Sequence, residues 1–186
     1  SLRFEQLKQG LVGSVLNVSG VKKVKKMQKL VIDNSRMKIP LLFALDVIHG
    51  FQTINPIPLA ESASWNLELI QKSASIAAKE AASAGINWTF APMVDITRDP
   101  RWGRIMEGSG EDPYLGSKVA VARINGFQGN NLEDPLTIAA CAKHFAAYGF
   151  AESGRDYNTV DVGLKTLHNV VLPHSRLLLR LGLQLL

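Results

Sequence analysis

The chain alternates short apolar runs with longer stretches in which apolar residues recur at helical spacing. Runs that are hydrophobic on both faces are typical of strands buried on both sides of a sheet. The predicted strands are 10–16, 39–45, 86–91 and 136–145, and the predicted helices are 21–37, 65–84, 112–127 and one that begins near residue 164. Four strand-then-helix units in series favour a parallel sheet with helices packed outside it.

The helix predicted over 65–84 has the clearest pattern. Gly85 follows it and supplies a stop signal. The apolar residues that line one face of this helix are Leu67, Ile70, Ala74, Ala77, Ala78 and Ala81. The helix predicted over 21–37 turns Val24, Met27 and Val31 inward and carries a run of lysines at 22–29, which is typical of a solvated face.

Two architectures fit this order of elements, a doubly wound open sheet and part of a (β/α)8 barrel. No Gly-x-Gly-x-x-Gly motif follows any predicted strand, which weakens the dinucleotide-binding version of the open sheet. The polar clusters instead come just after the strands, as expected for a barrel whose functional face is built from βα loops. A full barrel takes about 250 residues. Four units in 186 residues therefore predict an α/β fold that is the first half of such a barrel.

Composition excludes several classes of protein. Apolar residues make up 46% of the chain and charged residues 20%, so a packed core is expected. One cysteine, Cys141, excludes an internal disulfide framework and a multi-cysteine metal site. No apolar run reaches the roughly 18 residues of a membrane span, and the first residues lack the pattern of a signal peptide. We expect no metal, no cofactor and no membrane partner.

The net charge of +5 suggests an acidic partner such as nucleic acid. The excess is unevenly placed, however, because no acidic residue follows Asp161 while Lys165, Arg176 and Arg180 do. The lysine run at 22–29 has no interleaved aromatic residues on which bases could stack. We therefore expect no nucleic-acid partner.

Two polar clusters follow the second and fourth predicted strands. Asp46 and His49 lie at the exit of the second strand, and Lys143 and His144 lie at the end of the fourth. A carboxylate and an imidazole can orient a polyhydroxylated ligand, although a loop cap and a half-buried histidine would look the same. Lysine is almost never fully buried without a partner, so the Lys-His pair is an unusual choice for a core. Alternation along a strand would send one of the two inward and the other outward, unless the strand ends there.

The longest polar cluster, 95–112, follows the third predicted strand. It contains three arginines, Arg98, Arg101 and Arg104, together with Trp102 and several carboxylates. Arginine forks bind carboxylates or paired hydroxyls, and a tryptophan face can stack on a sugar. A salt-bridge network holding a long loop is the alternative. A fourth cluster, 154–157, reads as an ordinary loop or as part of a site.

Together these clusters resemble glycoside hydrolase family 3, and the likeness is greatest to its bacterial β-glucosidase branch. The order and spacing match from about residue 10 to Pro173. The matching segments are 38–43 (KIPLLF), 46–50 (DVIHG), 56–60 (PIPLA), 90–92 (FAP), 98–104 (RDPRWGR), 109–113 (SGEDP), 142–145 (AKHF) and 156–160 (DYNTV).

The resemblance implies a (β/α)8 barrel and a retaining hydrolase acting on terminal non-reducing β-D-glucosyl residues. By motif, the residues that would hold the sugar are Asp46, Arg104, Lys143 and His144. Hydrogen bonds of this kind strengthen as the sugar ring distorts toward the oxocarbenium-like state. The implied partner is a β-glucoside or an oligosaccharide. Self-association through exposed half-barrel edges is also expected.

Two departures from the family pattern qualify this expectation. Retaining hydrolysis needs a nucleophilic carboxylate and an acid/base carboxyl. No carboxylate of this chain matches the family's motifs for them, so we assign no catalytic residue and expect the chain alone to be inactive. The alternative is a non-catalytic carbohydrate-binding remnant.

The second departure is the end of the chain. We expect residues 1–186 to form a partial family 3 N-terminal domain in which 174–186 is a non-native, frameshift-like tail. Seven of those 13 residues are leucine, with no acidic residue and no evident helical alternation.

Overall fold

The computed structural model describes residues 2–180, which form an α/β fold with parallel strands. The strands are β1 (Ser14–Leu16), β2 (Leu42–Leu45) and β3 (Trp88–Thr89). The helices are α1 (Leu2–Lys8), α2 (Val21–Asn34), α3 (Pro58–Ala63), α4 (Leu67–Ser83), α5 (Pro113–Gln128), α6 (Leu164–Thr166) and α7 (Pro173–Arg180). Three 3-10 turns, Gly103–Glu107, Tyr148–Phe150 and Glu152–Gly154, and a π-helical turn, Leu167–Val171, complete the set.

The sheet has the order β1-β2-β3, and both pairs are parallel, as the sequence predicts for a half barrel. The fourth predicted strand, 136–145, is not a continuous strand, and that prediction is wrong in detail. It pairs in parallel through two separate bridges, Trp88 with Ala139 and Met93 with Lys143. Pro92 lies between those bridges, and a proline has no N–H to donate to a ladder. Its carbonyl still accepts from the N–H of Lys143 at 3.0 Å.

Helices α4 and α5 pack closely against each other. The predicted inward face of α4 is confirmed, since Ile70 and four alanines of that face are buried. The approach depends on Gly126 of α5, because a Cβ there would lie 2.4 Å from the carbonyl oxygen of Gln71 and 2.6 Å from Cβ of Ala74. The main core joins this helix pair to the sheet through Phe43, Ile124 and Phe127.

Helix α2 confirms its predicted inward face. Val31 is buried, and Val24 and Met27 pack against the core. The helix ends at Asn34 rather than at 37, because Ser35 has an extended backbone with φ −76° and ψ 148°. The lysines of the 22–29 run are exposed, as expected for a solvated face.

Two helices and part of the tail differ from the sequence predictions. The sequence gives no prediction for α1 or α3. The statement that the tail lacks helical alternation is wrong for Pro173–Arg180, where His174 and Leu178 lie four positions apart and are both buried. The other tail residues, 181–186, lie outside the described residues. The frameshift stays a prediction about the gene.

Among residues 2–180 no helix is long and apolar enough to cross a membrane. The same part of the chain contains no group of three or more His, Cys, Asp or Glu side chains placed to hold a metal ion.

Candidate functional site

A cavity of about 480 Å³ opens beside the carboxyl ends of β2 and β3. All four residues predicted by motif line it. The lining residues are Asp46, Ile48, Phe90, Arg104, Glu107, Cys141, Lys143 and His144. The convergence follows from topology, because the carboxyl ends of neighbouring parallel strands meet at one edge of the sheet.

Asp46 and Lys143 form an ion pair across the mouth of this cavity. Asp46 directly follows β2, and the Lys143 Nζ lies 2.7 Å from its Oδ1. The backbone N–H of Val47 donates to the Thr89 hydroxyl at 3.0 Å, which ties the turn after β2 to β3. The Asp46 side chain is 51% exposed and that of Lys143 only 15%. The carboxylate therefore remains accessible to a ligand, whereas most of the lysine side chain is buried.

Arg104 lies on the 3-10 turn Gly103–Glu107, three residues before its partner Glu107. Its Nε and Nη2 each donate to one carboxylate oxygen of Glu107, both at 2.7 Å. This pairing raises the pKa of Arg104 above its usual value. Its guanidinium also lies 5.4 Å from the centroid of the Tyr148 ring. The fork with Glu107 uses Nε and Nη2 and does not include Nη1.

His144 is held from two sides. Its Nδ1 and its backbone N–H both contact Oδ2 of Asp95, at 2.7 and 2.9 Å. The Tyr148 ring packs edge-on against the imidazole, with 4.7 Å between centroids. Both Lys143 and His144 line the cavity. The alternation expected for a strand does not apply to them, because strand pairing ends at Lys143 and the chain bends at Phe145.

A network of Trp102, Tyr148 and Asp156 contacts Arg104 and His144 through the Tyr148 ring. Trp102 and Tyr148 both donate to Oδ1 of Asp156, at 2.9 and 2.6 Å. These bonds lower the pKa of Asp156. Burial, with the Asp156 hydrogen bond as a further cause, raises the pKa of Tyr148 to about 12. The phenol is therefore neutral at ordinary pH.

The idea that Trp102 stacks on a sugar is wrong. The side chain is 1% exposed, and its ring packs against Tyr148 instead. Asp156, from the fourth sequence cluster, is a tether for this network.

The other charged residues of the long cluster lie elsewhere. Arg98 stacks on Phe150, and Arg101 pairs with Asp99 at 2.6 Å. Asp112 caps α5 by accepting from the N–H groups of the next two residues after Pro113. Salt-bridge support and a ligand site therefore share this loop, and of its three arginines Arg104 is the one that lines the cavity.

Sequence reasoning gave no role to Glu107 or Asp95. The spacing of three between Arg104 and Glu107 is a usable signal, because residues three apart on a helical turn are neighbours. The pairing of Asp95 with His144, 49 residues later, has no local signal. Cys141 also lines the cavity, and burial raises the pKa of its thiol.

Each cationic or imidazole side chain of the cavity thus has its own carboxylate partner. Lys143 pairs with Asp46, Arg104 with Glu107, and His144 with Asp95. Such a lining presents many fixed donors and acceptors with little net charge. It matches an uncharged polyhydroxylated ligand better than a phosphate or a carboxylate.

Known proteins resemble this chain over most of its length. A periplasmic β-glucosidase of Salmonella typhimurium is 44% identical over 169 residues, covering 91% of this chain and 22% of that protein. A β-xylosidase of Formosa agariphila is 36% identical over 152 residues, covering 75% of this chain and 21% of that protein. The crystal structure of a β-glucosidase from Listeria innocua in complex with glucose superposes with a TM-score of 0.89 and 44% identity, covering 93% of this chain and 24% of that one.

The chain spans less than a quarter of the length of these relatives. The family model described as "Glycosyl hydrolase family 3 N terminal domain" matches residues 3–184. The parallel strands and the identities above agree with that match. The chain belongs to glycosyl hydrolase family 3, and its residues 3–184 match the N-terminal domain of that family.

Proposed function

We propose that this chain forms the part of a retaining β-glucosidase that holds the terminal non-reducing β-D-glucosyl residue of its substrate. The observation that carries the proposal is the convergence of Asp46, Arg104, Lys143 and His144 on one cavity. These side chains come from three separate segments: Asp46 follows β2, Arg104 lies on the loop after β3, and Lys143 and His144 lie at the end of the bridged segment 136–145. A glycoside offers hydroxyls that both donate and accept, and this lining supplies partners of both kinds.

The charge balance of the cavity supports a neutral sugar. Two basic groups, Arg104 and Lys143, pair with two carboxylates of the lining, Glu107 and Asp46. A phosphorylated sugar or a uronic acid would have to displace one of those carboxylates to reach its partner. A hexose hydroxyl can bind beside the ion pairs without breaking them.

The expected inactivity of the chain alone rests on its lack of the family's two catalytic carboxylate motifs. A retaining glycosidase needs two carboxyl groups about 5–5.5 Å apart, one as nucleophile and one as acid/base. Asp46, Glu107 and Asp95 are each engaged by a basic partner at 2.7 Å. None of the three matches a family motif for the nucleophile or the acid/base. By itself the chain should bind a sugar weakly and leave its glycosidic bond intact.

Binding and turnover by the purified chain test this proposal. Ligand-observed saturation-transfer NMR should show glucose contacting the protein, with a weaker signal for xylose, while aryl β-glucoside hydrolysis stays undetectable. Asp46→Asn should abolish the glucose signal. The matched control is Asp33→Asn, which alters an exposed aspartate of α2 that pairs with Lys29. A glucose signal that survives in Asp46→Asn would contradict the site, and robust turnover would contradict the inactivity.

We also propose that two copies of the chain associate through the sheet. Leu16 and Leu42 are 53% and 39% exposed, and within residues 2–180 strand β1 is paired only with β2. An open edge beside exposed apolar side chains is a template for another strand. Sedimentation should show a dimer for the chain and a monomer for Leu16→Lys. The control Leu132→Lys, at an exposed leucine outside the sheet, should remain dimeric. A monomeric wild-type chain would refute the association.

A further inference from the structure

We propose that Asp95 is a positioning residue that fixes the tautomer and ring orientation of His144, so that Nε2 is left as a hydrogen-bond acceptor for a sugar hydroxyl. This rests on the proposed function only for the identity of the ligand. The state of the imidazole itself is a property of the chain without any sugar.

The geometry at Asp95 determines which nitrogen carries the proton. Oδ2 of Asp95 accepts the backbone N–H of His144 at 2.9 Å and lies 2.7 Å from Nδ1 of the same residue. An ionised carboxylate can only accept hydrogen bonds, so the proton between them belongs to Nδ1. A neutral imidazole with Nδ1 protonated has a bare lone pair on Nε2.

Asp95 itself has little freedom to move. Its side chain is 2% exposed. The segment that carries it is fixed on both sides, because the N–H of Val94 donates to the carbonyl of Lys143 at 2.6 Å and the N–H of Thr97 donates to that of Gly110 at 3.2 Å. A buried acceptor held on a fixed backbone gives His144 one preferred orientation.

Two further groups complete the environment. Tyr148 packs edge-on against the His144 imidazole, which restricts the orientations that the imidazole ring can adopt. His174 on α7 is also buried; burial lowers its pKa, and the charge of Asp95 opposes that shift.

The consequence for ligand binding is a division of roles within the cavity. Lys143 and Arg104 are donors with no acceptor capacity. With Nδ1 occupied by Asp95, His144 offers an acceptor beside them. A sugar hydroxyl that accepts from the lysine or the arginine can then donate its own proton to Nε2 of His144.

The tautomer can be measured directly by NMR of protein labelled with ¹⁵N in its four histidines. His144→Gln identifies the His144 signals. In the unliganded wild-type chain at neutral pH, long-range couplings should show a protonated Nδ1 and a bare Nε2. Asp95→Asn retains an oxygen acceptor and should keep this state. Asp95→Leu removes the acceptor and should give a mixture of tautomers. The control is Asp99→Leu, because Asp99 lies on the same segment but bonds to Arg101.

Each result is decisive. A wild-type chain with the proton on Nε2, or an Asp95→Leu variant that keeps the wild-type tautomer, overturns the assignment. If Asp95→Leu does not fold, the wild-type spectrum still tests the assignment, because only a protonated Nδ1 together with a bare Nε2 supports it.

Glucose binding then separates this inference from the proposed function. The saturation-transfer signal should fall about tenfold in Asp95→Leu, the loss expected for one good hydrogen bond, and should persist in Asp99→Leu. Full binding by Asp95→Leu overturns the role of Asp95 in ligand binding. A wild-type chain with the expected tautomer but no glucose signal refutes the proposed function and leaves the Asp95–His144 assignment intact.

Discussion

Two regions of the molecule contain ion pairs of the same length, but one pair is buried and the other is partly exposed at the cavity. Glu61 of α3 and Arg123 of α5 meet at 2.7 Å with side chains only 7% and 6% exposed. Asp46 and Lys143 meet at the same distance at the cavity, where the carboxylate is 51% exposed. Distance alone therefore does not distinguish a structural pair from one that is open to a ligand.

The difference lies in how the remaining polar atoms are used. The second Glu61 oxygen accepts from Ser73 at 2.5 Å, and Ser73 in turn accepts from Asn55 at 2.8 Å. The second Arg123 amino group donates to the carbonyl of Ile48, two residues beyond Asp46. The protein itself satisfies the buried pair, whereas the cavity pairs retain atoms that a sugar can use. The buried pair also holds the loop that carries Asp46.

The largest effect should come from breaking the buried pair. Arg123→Met leaves Glu61 charged among packed helices, which should lower the free energy of unfolding by about 3–5 kcal/mol. Adding Glu61→Leu removes the stranded charge and should recover most of that loss. Urea unfolding of the two variants and the wild type measures both steps. If Arg123→Met were as stable as the wild type, the Glu61–Arg123 pair would not be important for the stability of the fold.

A smaller loss should follow from separating the helices that bring this pair together. Gly126 lies three residues after Arg123 on α5, where a Cβ would meet the backbone of α4. Gly126→Ala should cost about 1–3 kcal/mol through overpacking. Gly13→Ala is the control, because nothing lies within 4 Å of a Cβ at that position. Equal unfolding midpoints for the two variants would contradict close packing of α4 on α5.

The cavity pair should show the reverse pattern, with function lost and stability kept. Lys143→Met leaves Asp46 half in solvent, so the free energy of unfolding should change by no more than about 1 kcal/mol. The glucose saturation-transfer signal should disappear, because a donor is lost. Lys25→Met, at an exposed lysine of α2, should change neither quantity. A stability loss as large as that of Arg123→Met would remove the distinction between the two regions.

Part of the fold and of the candidate site could be predicted from the sequence. The inward face of α4 could be predicted residue by residue, because helical spacing is a local signal. The four cavity residues could be predicted from the resemblance to family 3, and the parallel strands explain why their loops meet at one edge. The fold class followed from the order of the elements.

The rest depends on contacts between distant segments. Glu61 gives no sign in the sequence that it is buried, because its partner Arg123 lies 62 residues away. Trp102 carries the chemistry of a sugar platform, but the loop turns it inward onto Tyr148. In both cases the residue type indicates the possible chemistry, but tertiary packing determines where the side chain points.

The smallest effect should come from an exposed pair, Asp99 with Arg101, which provides the other end of the comparison. Hydrogen bonds from Arg101 lower the pKa of Asp99 to about 2 from its usual 3.8. A carboxyl with a lowered folded-state pKa stabilises the fold above the unfolded value and loses that contribution as the pH falls through about 2. Because the group is exposed, water and salt screen the contribution, and Asp99→Asn should leave the urea midpoint at neutral pH almost unchanged. A carboxyl ¹³C titration should place the Asp99 midpoint near 2 in the wild type and closer to 3.8 in Arg101→Gln, with Arg155→Gln as the unaffected control. A wild-type midpoint at 3.8 would show that the Asp99–Arg101 pair does not persist in solution. The short distance between the two side chains would then indicate no contribution to stability.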